Sequence, residues 1–256
     1  MFRYNTIIRL EIIMSFIFKY LISIPIFIAF SLNFFLNPFF LEIYFFYKIK
    51  ILRKIFNLFM CYLGFTDTFN FNQQIQALKC SILSAIYDYE TDIKPINNFC
   101  FSNDLTKSLF YLLLNKYDKN PESREIALKL FKDDLIGNFQ EDGLERGSQS
   151  LLFFKYLINS SFLNTYSTKQ ILKYGRLLQI IDDILDFKED NKNQHLNCFL
   201  SSGKIDTYYQ EIITFFDSEF YKYLSKNSPI YILIKIKCIE NNVCIKKRLS
   251  YINAST

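Results

Sequence analysis

Apolar and polar residues follow the periodicity of helices along this chain. Apolar residues recur every three to four positions over most of the sequence, and turn or capping residues such as Pro121, Gly143 and Ser167 separate these stretches. Residues 231–238 are also strand formers, but a lone strand would lack a partner, so we predict a helix there too. The predicted helices cover residues 41–63, 71–93, 103–117, 122–140, 143–160, 167–190, 205–225 and 229–250.

The N-terminal segment differs from the rest of the chain. Residues 1–40 are strongly hydrophobic, and residues 20–41 carry no charge over a length that could cross ~30 Å of hydrocarbon. Pro25 and Pro38 interrupt this stretch, and Lys and Arg flank both ends. Two interpretations stay open: a membrane anchor or surface hairpin, or a poorly charged first core helix. We expect an intracellular protein, which the first of these interpretations would associate with a membrane through this segment.

Composition narrows the fold class. The 256 residues include only 6 Gly and 5 Pro, fewer turn formers than a β-sandwich or a doubly wound sheet normally uses. We therefore predict an all-α fold, with one helical domain over residues 41–256.

The sequence also excludes several kinds of chemistry. His195 is the only histidine, which leaves no poly-His metal site and no His-paired nucleophile except one built on this residue. The six cysteines form no Cys-x-x-Cys pair, as expected of buried thiols in a reducing compartment. A net charge of +5 is too small to indicate a nucleic-acid partner. Carboxylate chemistry remains.

One predicted helix carries a ladder of acids. Residues 175–190 read GRLLQIIDDILDFKED, and at 100° per residue Asp182, Asp186 and Asp190 fall within one ~80° sector, together with Gly175 and Gln179. Such carboxylates repel one another, so a bound divalent cation would stabilise them, and Mg²⁺ suits an all-oxygen site. Alternatively, the ladder is the solvated face of an amphipathic helix.

A second acidic stripe lies earlier in the chain. Asp88 and Asp92 share a helix face with the small residues Ala77, Ser81 and Ala85, which leaves room for a ligand. Two facing carboxylate pairs can hold Mg²⁺ ions around a diphosphate and make it a leaving group.

The acidic motifs resemble those of the class I isoprenoid synthase superfamily. Residues 175–186 match the second aspartate-rich motif of trans-isoprenyl diphosphate synthases, G-x-x-[FL]-Q-x-x-D-D-x-x-D, at every fixed position. Gln179, Asp186 and Asp190 are similar to the Q-x6-D-x3-D signature of squalene and phytoene synthases. The run on to Asn197 resembles the E-E-D-x4-D-L-N run of bacterial large terpene synthases.

The first motif departs from the elongating enzymes. Residues 88–92 fit D-x3-D, as in squalene and phytoene synthases, but Tyr89 stands where chain-elongating prenyltransferases have a second acid, and no Arg-Arg pair follows. The two motifs lie 94 residues apart (182 minus 88), closer than is usual in these families. Residues 145–148, with Gly147, look like the glycine-containing helix break that faces the pocket in this superfamily.

The resemblance implies a Mg²⁺-dependent enzyme that ionises an allylic prenyl diphosphate inside an all-α bundle with a central cavity. A terpene cyclase or a squalene/phytoene-type coupling enzyme is favoured; the alternatives are a chain-elongating prenyltransferase and a non-catalytic, membrane-associated bundle that retains the acids. The implied catalytic residues are Asp88, Asp92, Asp182, Asp183 and Asp186. The implied metal ligands are Asp88, Asp92, Asp182, Asp186 and Asp190, and the candidate substrate-binding residues are Gln179, Arg146, Arg176 and Lys204.

Overall fold

The computed structural model describes most of the C-terminal half of the chain and parts of the N-terminal half. The described residues are 21, 23–32, 45–67, 70–88, 121, 125–126, 143–193, 197–201, 204–228 and 230–253. Within these ranges, only the backbone is described at 45–48, 88, 193, 201 and 243–253. All regular structure in the described ranges is helical, which confirms the all-α prediction.

Ten helices are numbered here in chain order, and a 3₁₀ turn, Leu63–Phe65, follows the second of them. They are α1 (23–32), α2 (Phe45–Tyr62), α3 (Phe71–Asp88), α4 (Leu144–Ile158), α5 (Ser161–Asn164), α6 (Thr168–Asn193), α7 (Cys198–Ser201), α8 (Ile205–Phe216), α9 (Glu219–Asn227) and α10 (Ile230–Asn253).

The chain forms two compact units. The first comprises Met1–Asn120, Leu157–Thr165 and Leu224–Pro229, and the second comprises Pro121–Tyr156, Tyr166–Tyr223 and Ile230–Thr256. The predicted boundary between residues 40 and 41 lies outside the described residues and stays a prediction.

The core of the first unit is built by α1, α2 and α3. The ring of Phe27 in α1 lies 5.0 Å from Phe56 and 6.2 Å from Phe59 of α2, measured between ring centroids. The α2 and α3 helices pack along each other, and the Tyr62 hydroxyl donates to Ser84 Oγ at 2.9 Å. Apolar burial combined with aromatic contacts therefore holds α1 against the unit.

Asp67 joins two segments of the first unit. Its carboxylate accepts hydrogen bonds from the backbone and hydroxyl of Ser161, at 2.9 and 2.7 Å, and from Gln73 Nε2 at 3.0 Å. Burial alone would raise the pKa of Asp67, but the hydrogen bonds from Ser161 and Gln73 outweigh it, so the pKa lies below its usual value. The ionised carboxylate thus fixes α5 to the loop after α2.

The second unit is organised around α6, which packs against α7, α8 and α10. Its apolar side chains point to several neighbours at once, as the nearly all-round apolar pattern of this segment predicts. The buried ones are Ile171, Leu177, Ile180, Ile181, Ile184 and Phe187. A reciprocal capping box begins the helix: Ser167 Oγ accepts from the Gln170 backbone at 3.4 Å, and Gln170 Oε1 accepts from the Ser167 backbone at 2.9 Å.

The predicted helix at 205–225 is two helices in the structure. The first, α8, ends at Phe216, and α9 begins at Glu219. Ser218 lies in the break, where its Oγ accepts from the Tyr221 backbone at 3.2 Å and donates to the Phe215 carbonyl at 2.5 Å. One serine therefore ends α8 and caps α9, a signal that the continuous apolar pattern obscured.

Two further predicted helices are present in the structure, and two others lie wholly or mostly outside the described residues. The helix predicted at 143–160 ends at Ile158, because Asn159 adopts a left-handed conformation with φ of 49°. The helix predicted over the strand-like run 231–238 is confirmed as part of α10. The prediction at 103–117 and most of that at 122–140 lie outside the described residues.

The uncharged stretch 20–41 is described at residue 21 and in α1. Across the described parts of the chain, no helix combines the length and the apolar character needed to cross a membrane.

Candidate functional site in the second unit

Two glycines let α4 and α6 touch backbone to backbone. A Cβ added at Gly175 of α6 would lie 2.4 Å from the carbonyl oxygen of Gly147 in α4, and one added at Gly147 would lie 2.4 Å from Cβ of Gln179. No real side chain fits at such distances. Gly147 lies in the first turn of the continuous helix α4 rather than at a break within it, and its role in the structure is this close crossing.

Half-buried Gln179 and buried Asp183 form a hydrogen-bond network beside the crossing. Gln179 Nε2 donates to Asp183 Oδ1 at 2.8 Å, and the backbone N–H of Cys198 donates to Asp183 Oδ2 at 2.8 Å. Asp183 is only 4% exposed, so these donors replace the water that its carboxylate loses. The network ties the middle of α6 to the start of α7.

Asn197 extends this network to the acid ladder. Its side-chain amide donates both to the backbone carbonyl of Asp183 at 2.7 Å and to Asp190 Oδ2 at 2.8 Å. Its Oδ1 accepts from the Phe199 backbone at 3.0 Å, which caps α7. Asn197 is 1% exposed. Sequence reasoning gave it no role of its own; the available signal was a capping residue directly after the acidic helix.

The electrostatics of Asp183 set it apart from the ladder. Burial raises the pKa of Asp183 above its usual value, although the donors from Cys198 and Gln179 and the positive charge of Arg146 oppose the rise. Arg146, in the first turn of α4, is therefore close enough to act on this carboxylate. The structure thus brings Arg146, Gln179 and Asp183 together.

The ladder acids face outward. Asp182 and Asp186 are exposed and Asp190 is half-buried, as predicted for residues on one side of α6. The adjacent residue Asp183, 100° further round the helix, points inward instead. Among the described side chains, no group of three or more His, Cys, Asp or Glu residues could hold a metal ion.

The predicted cationic residues Arg176 and Lys204 differ in their surroundings. Arg176 stands over the Tyr208 ring at 5.6 Å, and its Nη2 lies 3.6 Å from Glu211 Oε1. Its Nη1 is buried and has no hydrogen-bond partner among the described residues. Lys204 is exposed and directly precedes α8. Arg176 therefore belongs to the face of α6 that packs on α8, as its ~120° offset from Asp182 predicts.

The side chains of the first acidic motif and of the histidine lie outside the described part of the structure. Asp88 ends α3, where only its backbone is described, and Asp92 and His195 lie outside the described residues. The prediction that the two motifs face a common cavity stays a prediction.

Replacing Asp183 tests the buried network. We expect Asp183→Ala to lower the free energy of unfolding by about 2 kcal/mol, because the Cys198 N–H and the Gln179 amide lose their acceptor. Asp183→Asn should cost less than about 1 kcal/mol, since its oxygen can accept from Cys198 while Gln179 turns its amide to accept. Denaturant unfolding followed by circular dichroism measures both.

The stability difference between the wild type and these variants should depend on pH. Because the pKa of Asp183 is raised in the folded state, its contribution to stability is present below the unfolded value of about 4 and is lost as pH rises through the folded pKa. Asp183→Asn lacks this loss, so its stability relative to the wild type should improve as pH rises. Equal stability of the alanine and asparagine variants at every pH would contradict the network.

The site thus consists of a glycine crossing, a buried acid held by its own chain and an exposed acid ladder on the same helix. No family model, curated protein or solved structure matches this chain.

Proposed function

We propose that the protein is a Mg²⁺-dependent class I isoprenoid synthase that ionises an allylic prenyl diphosphate. A terpene cyclase or a squalene/phytoene-type coupling enzyme agrees best with the D-x3-D form of the first motif. The observation that carries the proposal is the difference in burial between neighbouring acids of α6. Asp183 is buried and accepts one internal hydrogen bond at each carboxylate oxygen, while Asp182 and Asp186 are exposed one turn apart.

The exposed acids suit a hard cation. Carboxylate oxygens are the ligands Mg²⁺ prefers, and such sites are normally completed by water and by substrate phosphates rather than by the protein alone. Asp182, Asp186 and Asp190 would hold the ion from α6, and the ligand roles that the resemblance implies for Asp88 and Asp92 stay predictions. When bound, Mg²⁺ neutralises the diphosphate and makes it a better leaving group.

The remaining residues of the site would bind the diphosphate and orient the metal ligands. Asn197 orients the carboxylate of Asp190 through its 2.8 Å hydrogen bond. Arg146 and Lys204 supply positive charge to attract the diphosphate. Arg176 offers its buried Nη1 as a donor, but its contact with Glu211 directs it towards α8. We therefore rank it last among these cations.

Three aromatic rings of the second unit belong to its packed core. Phe215, Phe220 and Tyr221 are buried and contact one another, with centroids 6.1 Å apart for the first two and 5.4 Å for Phe215 and Tyr221. Cation–π stabilisation of a carbocation, on the order of 2 kcal/mol when desolvated, would fall to other rings.

A direct assay tests the proposal. Purified full-length protein is incubated with geranyl, farnesyl or geranylgeranyl diphosphate, with and without Mg²⁺, and released diphosphate and hydrocarbon products are measured. We expect metal-dependent release from at least one substrate. Release that requires added isopentenyl diphosphate would identify chain elongation instead. No release from any substrate, by protein that circular dichroism shows to be folded, would reject the enzymatic function and favour a non-catalytic bundle.

A further inference from the structure

The exposed side of α1 consists only of apolar residues. Its inner side holds Ser23 and Phe27, and Ser23 Oγ donates to Gln74 Oε1 of α3 at 3.3 Å. At 100° per residue the outer residues fall on the opposite side of the helix. The exposed ones are Ile24, Pro25, Ile28, Ala29 and Leu32 of α1, and Leu21 just before it is also exposed. The four largest of these are 42–62% exposed.

The chemistry of this surface, called here the α1 face, is unlike that of a protein interface. Interfaces between proteins are enriched in aromatic residues and Arg and carry roughly one hydrogen bond per 100–200 Å². The α1 face has neither an aromatic side chain nor a polar one, so it offers a partner protein no hydrogen bond. Uniform aliphatic chemistry is instead that of lipid acyl chains.

The charge of the chain is concentrated in the same region. The first 54 residues contain seven Lys or Arg and two Asp or Glu, a net charge of +5, and the remaining residues contain 23 of each sign. The whole net charge of the protein therefore lies around α1 in the sequence. On α2, Lys50 and Arg53 are exposed, and Ile49 beside them is 46% exposed.

From these two observations we propose that the α1 face docks on the surface of an anionic lipid membrane. The aliphatic side chains enter the boundary between headgroups and acyl chains, and the basic residues of the N-terminal region attract anionic headgroups. Because Phe27 and Ser23 hold α1 against the first unit, the helix lies in the membrane plane.

Vesicle binding tests this surface without reference to catalysis. The full-length protein is mixed with vesicles of phosphatidylcholine alone, or with vesicles that also contain phosphatidylglycerol, and the bound fraction is measured by sedimentation. We expect binding to the anionic vesicles, weakening as salt is added. No binding to the anionic vesicles would overturn the proposal. A catalytically inactive protein that binds them would still support it, which keeps the two proposals separable.

Substitution on the α1 face locates the contact. Ile24→Ser combined with Ile28→Ser should lower the partition coefficient at least about tenfold, because two large aliphatic side chains leave the lipid contact. Ile236→Ser is the matched control: Ile236 is 50% exposed on α10 and Ile28 is 52% exposed, so this change should leave binding within about twofold. An equal loss in the control, or no loss in the double variant, would overturn the assignment.

A charge variant and the oligomeric state distinguish an anionic lipid surface from a second copy of the chain as the partner of the α1 face. Arg53→Glu should weaken binding to anionic vesicles severalfold, whereas Lys173→Glu, an exposed change on α6, should not. If the wild type is an oligomer that Ile24→Ser with Ile28→Ser converts to a monomer, the face binds a second copy of the chain and the lipid proposal is wrong. Leu32→Ser alone provides a milder test should the double variant fold poorly.

Discussion

Replacing Asp186 by alanine is expected to lower metal-dependent diphosphate release at least about a hundredfold. Asp186 is exposed on the ladder of α6, in the position that the proposed function assigns to a Mg²⁺ ligand. A ligand lost there removes charge stabilisation of the departing diphosphate worth several kcal/mol, and each ~1.4 kcal/mol is a factor of ten in rate. The measurement is diphosphate release at saturating substrate.

The fold should survive this change. Asp186 is exposed, so its removal should alter the free energy of unfolding by less than about 1 kcal/mol, as for other exposed charged side chains. Glu240→Ala, which removes an exposed acid on α10, is the matched control and should keep full activity. Loss of the helical circular dichroism signal in Asp186→Ala would mean that the ladder is structural.

A ligand-binding measurement separates binding from chemistry. Mg²⁺ together with inorganic pyrophosphate should raise the unfolding temperature of the wild type, because a ligand that binds only the folded state stabilises it by mass action. The same mixture should raise that of Asp186→Ala much less. An identical rise in both proteins would show that Asp186 does not contribute to the metal–diphosphate site.

Replacing Gly175 by alanine is expected to cause the largest loss of stability. Its Cβ would lie 2.4 Å from the carbonyl oxygen of Gly147 and 2.8 Å from Cα of Ser148, and backbone atoms cannot turn aside as a side chain can. Helix propensity would gain about 1 kcal/mol, but separating α4 from α6 costs more. We expect a net loss of about 2–3 kcal/mol, or roughly 5–10 °C in unfolding temperature.

The consequences should reach the site. Because Gln179 lies against Gly147 at the same crossing, moving α4 away disturbs the amide that holds Asp183. Lys173→Ala, at an exposed position of the same helix, is the control and should change stability by less than about 0.5 kcal/mol. If Gly175→Ala unfolds at the wild-type temperature, the two helices do not cross as closely as described.

Local sequence patterns predicted the elements of this site better than its connections. Helical periodicity predicted that Asp182 and Asp186 share a face, and both are exposed. The motif treats Asp182 and Asp183 as a pair, yet they differ completely in environment. A rotation of 100° turns Asp183 towards Cys198, fifteen residues away. Spacing along one helix contains no information about which neighbour covers the next position.

The sequence by itself determined the helical class and the residues that share each helix face. It also determined that any chemistry must rely on carboxylates, because the chain has one histidine. These properties depend on composition and on the 3.6-residue period alone. Only the tertiary structure decided that Gly147 and Gly175 meet, that Asn197 holds Asp190, and which side of α1 stays exposed. Each of these depends on contacts between one helix and the chain outside it, where packing and the need to satisfy buried polar groups select one arrangement among many that the local pattern allows.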